Sequence, residues 1–167
     1  MKVYLGTDHA GFRLKEKVKQ FLLEKGYVVE DCGANEFSEE DDYPDFVSKA
    51  AQEVVKDPQS RGIVFGGSGL GEAMVANKTA GIRCAVFYTP AVPPHPIDIQ
   101  GKTSEDPFAI LRLTREHNDA NMLSLAARFL TEEQACQAVT VFLEEKFSGE
   151  ERHVRRIEEM KKIEGEK

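Results

Sequence analysis

The feature that most constrains the fold is a charge-free strand running straight into a glycine turn. Gly62-Ile63-Val64-Phe65 is followed by Gly66-Gly67-Ser68-Gly69-Leu70-Gly71. A strand with no charge inside it reads as one buried on both faces of a parallel sheet. A helix opening near Leu70 and running through Asn77 then supplies the next crossover. The same rhythm precedes and follows it. Val3 to Gly6 is a short apolar run that stops at Thr7-Asp8-His9. Leu14, Val18, Phe21 and Leu22 lie on one helical face, which Gly26 ends. Tyr27-Val28-Val29 is the second strand. Pro44 opens a helix whose apolar face is Phe46, Val47, Ala50, Ala51 and Val54. Ile82 to Phe87 and Met122 to Leu125 are the fourth and fifth strands, and Ala135, Ala138, Val139, Phe142 and Leu143 mark a further helix. Alternating strands and helices predict an α/β chain with right-handed crossovers. The expected strand order is the flavodoxin-like 2-1-3-4-5.

With 167 residues the chain reads as a single domain, 1–167. Its net charge of −7 argues against wholesale nucleic-acid binding, and no apolar run approaches the length of a membrane span. The N-terminal apolar stretch is too short for a signal peptide. Cys32, Cys84 and Cys136 form no Cys-x-x-Cys pair and read as reduced thiols of a cytoplasmic protein. Two segments stand apart. Thr89 to Asp106 has no period and, with Pro107, holds five of the seven prolines; a loop this long is expected to be functional or disordered. From Glu150 onward charged residues dominate, and Val154, Ile157 and Met160 form a narrow stripe. This predicts a helix at about 150–165 lying across a surface.

Ligands of open parallel sheets bind where strand order reverses, here between strands 1 and 3. Asp8-His9 and the glycine loop with Glu72 fall there. The loop is no nucleotide-binding lysine loop, because Glu72-Ala73 stands where Lys-Ser/Thr would be and would repel phosphates. It is a small-residue turn at a helix N-terminus, either structural or a cradle for an oxyanion. Glu72 either complements the helix dipole or, beside Ser68 and those N–H groups, acts as a general base. Arg152 and Arg156 are i and i+4 on one helix face, which suits either solvated ion pairs or a phosphate clamp. No metal-ligand cluster is read, since His9 and His117 lack a third partner.

Taken together, Gly6-Thr7-Asp8-His9-Ala10-Gly11, Asp42-Tyr43-Pro44-Asp45, Gly66-Gly67-Ser68-Gly69-x-Gly71-Glu72 with Ala76-Asn77-Lys78 and Gly81-Ile82-Arg83, Arg115-Glu116-His117-Asn118 and Arg152-His153-x-x-Arg156 closely resemble the ribose-5-phosphate isomerase B family. That family also includes galactose-6-phosphate and allose-6-phosphate isomerases. The resemblance implies a Rossmann-like three-layer sandwich, a homodimer (with a tetramer open) whose active sites lie between subunits, and metal-free, cofactor-free aldose–ketose isomerisation of a phosphorylated sugar. One branch of the family carries a cysteine base just after the third strand, where this chain has Gly66; the other carries a glutamate, matched by Glu72. By the same resemblance the N–H groups around Ser68 to Gly71 stabilise the developing oxyanion, and Gly67, Gly69 and Gly71 are substrate-binding positions. His117 and Asp8 open the sugar ring. Arg152, Arg156 and His9 hold the phosphate, with Tyr43, Asn118 and Arg128 nearby. The departure from the family is a proline-rich insertion at about 89–113, which puts substrate identity in question more than reaction type.

The leading expectation is therefore interconversion of ribose 5-phosphate and ribulose 5-phosphate. Its rivals are an isomerase of a six-carbon sugar phosphate, a non-catalytic phosphosugar-binding module, and a flavodoxin-like cofactor carrier, for which the sequence offers no aromatic platform.

Overall fold

The structure is a computed structural model that describes residues 1–165; residues 166–167, the end of the expected domain, lie outside the described residues. The elements follow in the order β1 (Lys2–Thr7), α1 (Phe12–Glu24), β2 (Val28–Asp31), α2 (Tyr43–Lys56), β3 (Arg61–Gly66), α3 (Leu70–Ala76), β4 (Cys84–Phe87), α4 (Ala109–Asn118), β5 (Met122–Ala126), α5 (Glu132–Glu144) and α6 (Glu151–Ile163). All four strand pairings are parallel. Among the described residues, no helix is long and apolar enough to cross a membrane.

The α/β class and the parallel sheet are as expected, but the order is β2-β1-β3-β5-β4, so the last two strands exchange places relative to 2-1-3-4-5. Burial explains the exchange. β5 is buried along its whole length and takes the inner position beside β3, whereas β4 is only half-buried over Cys84, Ala85 and Val86 and takes the edge. The chain thus steps outward from β3 to β4 and back to β5. Right-handed crossovers then put α3 and α4 on opposite faces. The core divides accordingly. Leu14, Val18 and Leu22 of α1 pack with Leu111 of α4 and Phe142 of α5 on one face; Val47, Ala50 and Val54 of α2 pack with Ala76 of α3 on the other. Side chains such as Phe65, Leu123 and Phe142 are wholly out of water, which stabilises the fold by about 1.5–3 kcal/mol each.

A buried charge fastens the β1 side. Lys15 of α1 is fully buried, and its Nζ donates to Asp31 Oδ2 at 2.7 Å and to the Ala34 carbonyl at 2.7 Å. Burial alone would push the Asp31 carboxyl up, but bonds from Lys15 and Lys19 outweigh it and hold the carboxyl below its ordinary range.

Residues 88–108 contain no helix or strand, and α4 begins at Ala109, so residues 109–113 of the segment read as insertion are the start of that helix. Helix α6 lies against the end of α4. Its Ile157 is buried while Val154 and Met160 stay largely exposed, and the Glu164 carboxylate accepts the Gly81 amide at 2.9 Å.

Candidate active site

The carboxyl ends of β1, β3 and β5 carry the first group of candidate residues. β3 ends at Gly66, and the chain turns through Gly67, Ser68 and Gly69 into α3. Gly69 has φ +73°, a left-handed conformation that favours glycine. Its carbonyl accepts the Ser124 hydroxyl of β5 at 2.6 Å, so the turn is tied to the sheet. Glu72, in the first turn of α3, is only 5% exposed. Its carboxylate lies against the Cα of Gly66, where any Cβ would fall on it. A side chain at residue 66 would therefore displace the Glu72 carboxylate from this position. Burial, reinforced by the neighbouring Asp8, pushes the Glu72 carboxyl above its ordinary range, against the opposing pull of its own amide.

The other candidates at this edge lie on the neighbouring turns. Tyr43, at the start of α2, places its hydroxyl against Gly71, and the Arg128 guanidinium packs over Gly67. The amides of Ala127 and Arg128 donate to the carbonyls of Gly66 and Gly67 at 2.8 and 3.1 Å. Asp8 is buried, and one of its oxygens accepts the Ala10 amide at 2.9 Å. His9 is oriented by Asp41, whose Oδ1 accepts both the His9 amide at 2.9 Å and the ring Nδ1 at 2.8 Å. That hydrogen bond pushes the His9 pKa up, favouring the imidazolium. His9, Arg13, Phe37 and Arg128 share the lining of a cavity of about 430 Å³. Asp41 and Arg13 were not singled out in the sequence. Asp41 sits among six acidic residues within ten positions, which read as a solvated loop. Asp8, His9 and Asp41 also bring one potential metal-ligand atom each within 4.8 Å of the others, a juxtaposition that spacing in the chain does not reveal.

The second group lies at the other edge of the sheet. Helix α4 runs back against the strands and stops at Asn118 because Asp119 turns left-handed at φ +43°. Arg83 and Arg115 hold this end. Arg83 donates to the Asn118 and Asp119 carbonyls at 2.8 Å each, and Arg115 pairs with the Asp119 carboxylate at 2.7 Å. Asn121, three residues beyond Asn118, bonds through its carbonyl to Gly62 near the start of β3. His117 thus lies toward the amino end of the sheet, away from the Glu72 edge. There its ring stacks on His153 with centroids 4.2 Å apart and planes 12° from parallel. Burial, with His117 and Arg152 adjacent, pushes the His153 pKa down and disfavours its imidazolium. His117, Arg152, His153 and Arg156 line one cavity. Arg152 Nε lies 2.8 Å from a Glu150 carboxylate oxygen. Asn118, although next to His117, lines a separate groove with Asn77 and Arg83.

One chain therefore brings together Asp8, His9, Tyr43, Gly67, Ser68, Gly69, Gly71, Glu72 and Arg128, and separately His117, Arg152 and Arg156. An open parallel sheet with a buried carboxylate, a glycine turn and a cluster of cationic groups defines the class of sugar-phosphate isomerase folds that the sequence motifs resemble. The family model described as ribose/galactose isomerase matches residues 3–92 and 104–160. The chain belongs to that family. It is 39% identical over 158 residues to ribose-5-phosphate isomerase B of Mycobacterium tuberculosis, covering 95% of this chain and 86% of the relative. Among solved structures it is similar to ribose-5-phosphate isomerase B from Clostridium thermocellum (TM-score 0.82, 38% identity, 99% and 98% of the two chains covered). It is also similar to the Mycoplasma genitalium enzyme with bound ribulose-5-phosphate (TM-score 0.84, 32% identity, 99% and 97% covered).

Proposed function

We propose that this chain interconverts ribose 5-phosphate and ribulose 5-phosphate, as a cytoplasmic enzyme of the pentose phosphate pathway. The observation that carries the reading is Glu72: a buried carboxylate whose affinity for protons is raised, set beside a glycine turn. A carboxylate with raised proton affinity is a stronger base for abstracting a proton next to a carbonyl. Glu72 takes the proton from C2 of the open aldose and returns it to C1, while the hydroxyl proton passes from O2 to O1. The intermediate is a cis-enediolate. The N–H groups of the Gly67–Gly71 turn face the oxygen on which charge develops. Asp8 and His117 open the ring. His9, Arg152 and Arg156 hold the phosphate, with Tyr43, Asn118 and Arg128 lining the site. Anchoring the phosphate lets its binding energy position the reacting carbons.

The separation of the two residue groups supports a homodimer in which Glu72 of one subunit works with His117, Arg152 and Arg156 of the other. Within one chain the two groups lie at opposite edges of the sheet, which favours a site shared between subunits.

The test is turnover of the purified chain on ribose 5-phosphate, with allose 6-phosphate alongside and Glu72→Gln as control. Turnover of ribose 5-phosphate that is lost in the variant supports the proposal. Activity confined to the six-carbon sugar replaces the substrate, and phosphosugar binding without turnover of either makes the chain a binding module.

A further inference from the structure

Residues 93–103 are the internal stretch that the family match leaves out. We propose that this insertion is a specificity element: it walls the arginine pocket so that a five-carbon sugar phosphate is preferred to a six-carbon one. The inference rests on the phosphosugar reading above and deepens it.

Location is the first argument. Pro96, Ile97, Asp98 and Ile99 line the same cavity, of about 310 Å³, as His117 and the two arginines. The insertion leaves β4 at the far edge of the sheet, yet its tip comes down beside the end of α4. Stiffness is the second. Asp98 Oδ1 accepts the Gln100 amide at 2.9 Å and the Lys102 amide at 3.0 Å, and the Ile97 amide donates to the Lys102 carbonyl at 2.7 Å. The base of the loop is closed by the Ala91 amide on the Pro107 carbonyl at 2.8 Å. Pro93, Pro94 and Pro96 restrict the backbone between these ties. A wall discriminates only if it does not yield, and this one is braced at tip and base.

Chemistry is the third. The wall presents the half-buried side chain of Ile97, with Ile99 exposed at its rim, and a carboxylate held by two amides. Neither welcomes a phosphate pushed deeper toward the insertion: the apolar groups give it no hydrogen bond, and Asp98 repels it. An additional CH(OH) group between phosphate and carbonyl must therefore be accommodated at the reacting end, where Glu72 and the glycine turn fix the geometry.

The experiment uses ribitol 5-phosphate and allitol 6-phosphate, which lack a carbonyl and cannot isomerise. Their affinities are measured by calorimetry on the full chain, on a variant with 93–103 replaced by Gly-Ser-Gly, and on Ile97→Ala, which keeps the Asp98 turn. The full chain is expected to favour the five-carbon polyol, and the replacement to erase about tenfold of that preference, the scale of a one-carbon discrimination. Ile97→Ala is expected to move it in the same direction by less. A preference unmoved in both variants, or one for the six-carbon polyol in the full chain, overturns the inference while leaving an isomerase activity standing. A chain that shows the expected shifts in preference without isomerising ribose 5-phosphate overturns the function and leaves the wall standing. Failure of the full chain to bind either polyol removes both.

Discussion

The two edges of the sheet hold their polar residues in different ways. At the carboxyl edge, Asp8 and the glycine turn are fixed by backbone hydrogen bonds and by a carbonyl-to-hydroxyl tie into β5, and the Glu72 carboxylate occupies the space a side chain at residue 66 would need. At the amino edge, His117 at the end of α4 and Arg152 and Arg156 of α6 line an open cavity shared with the insertion. Proton transfer at carbon tolerates little displacement of the base, whereas guanidinium groups on long side chains reach a phosphate from a distance. On the proposed reading, the base is held by the sheet, while the two arginines come from a peripheral helix that a second subunit would have to deliver.

Breaking the carboxyl edge is expected to cost most. Glu72→Gln should lower kcat about a thousandfold with KM little changed, since the base is lost but the anchor is not. Gly66→Ala should lower kcat about a hundredfold by displacing the carboxylate, with a near-native circular dichroism spectrum separating misplacement from unfolding. Breaking the amino edge acts on binding: Arg156→Ala should raise KM for ribose 5-phosphate about tenfold, because one charge-assisted contact is lost.

Two smaller effects sharpen the comparison through pH. The hydrogen bond from Asp41 raises the His9 pKa, so Asp41→Asn lowers it. Below both values the ring is protonated in either protein; between them only the wild type keeps the imidazolium. KM for the phosphosugar should then rise about threefold in that window and converge below it. For Glu72 the sign is the reverse of the usual carboxylate. Burial raises its folded pKa, so the native state binds the proton more tightly than the unfolded chain does. Stability is greatest below the ordinary glutamate pKa and falls as pH rises through the raised one. Glu72→Gln should therefore melt slightly above the wild type at pH 7, with the gap closing toward pH 4. The acid limb of kcat/KM should lie above the ordinary glutamate range.

Much of the carboxyl edge was legible because it is local. The charge-free β3, its glycine turn and Glu72 are adjacent in the chain, and so are Asp8 and His9 at the end of β1. The exchange of β4 and β5 was not, because which strand pairs with β3 depends on burial over the whole sheet; Met122 to Ala126 reads as a weaker strand than Ile82 to Phe87 yet is the more deeply buried. Asp41 was hidden in an acidic run, and its role appears only where the loop meets His9. Nor does spacing show that His153 is buried beneath His117. The motifs that resemble the family named the residues of both edges, but not the distance between them.

That distance makes one measurement decisive. Glu72→Gln and His117→Asn chains, each inactive as a homodimer, are co-expressed and purified together. If each site draws Glu72 from one subunit and His117 from the other, half the dimers are mixed and each carries one intact site, so activity should return to about a quarter of wild type. No recovery from a demonstrably mixed dimer would contradict the account and place the whole site within a single chain.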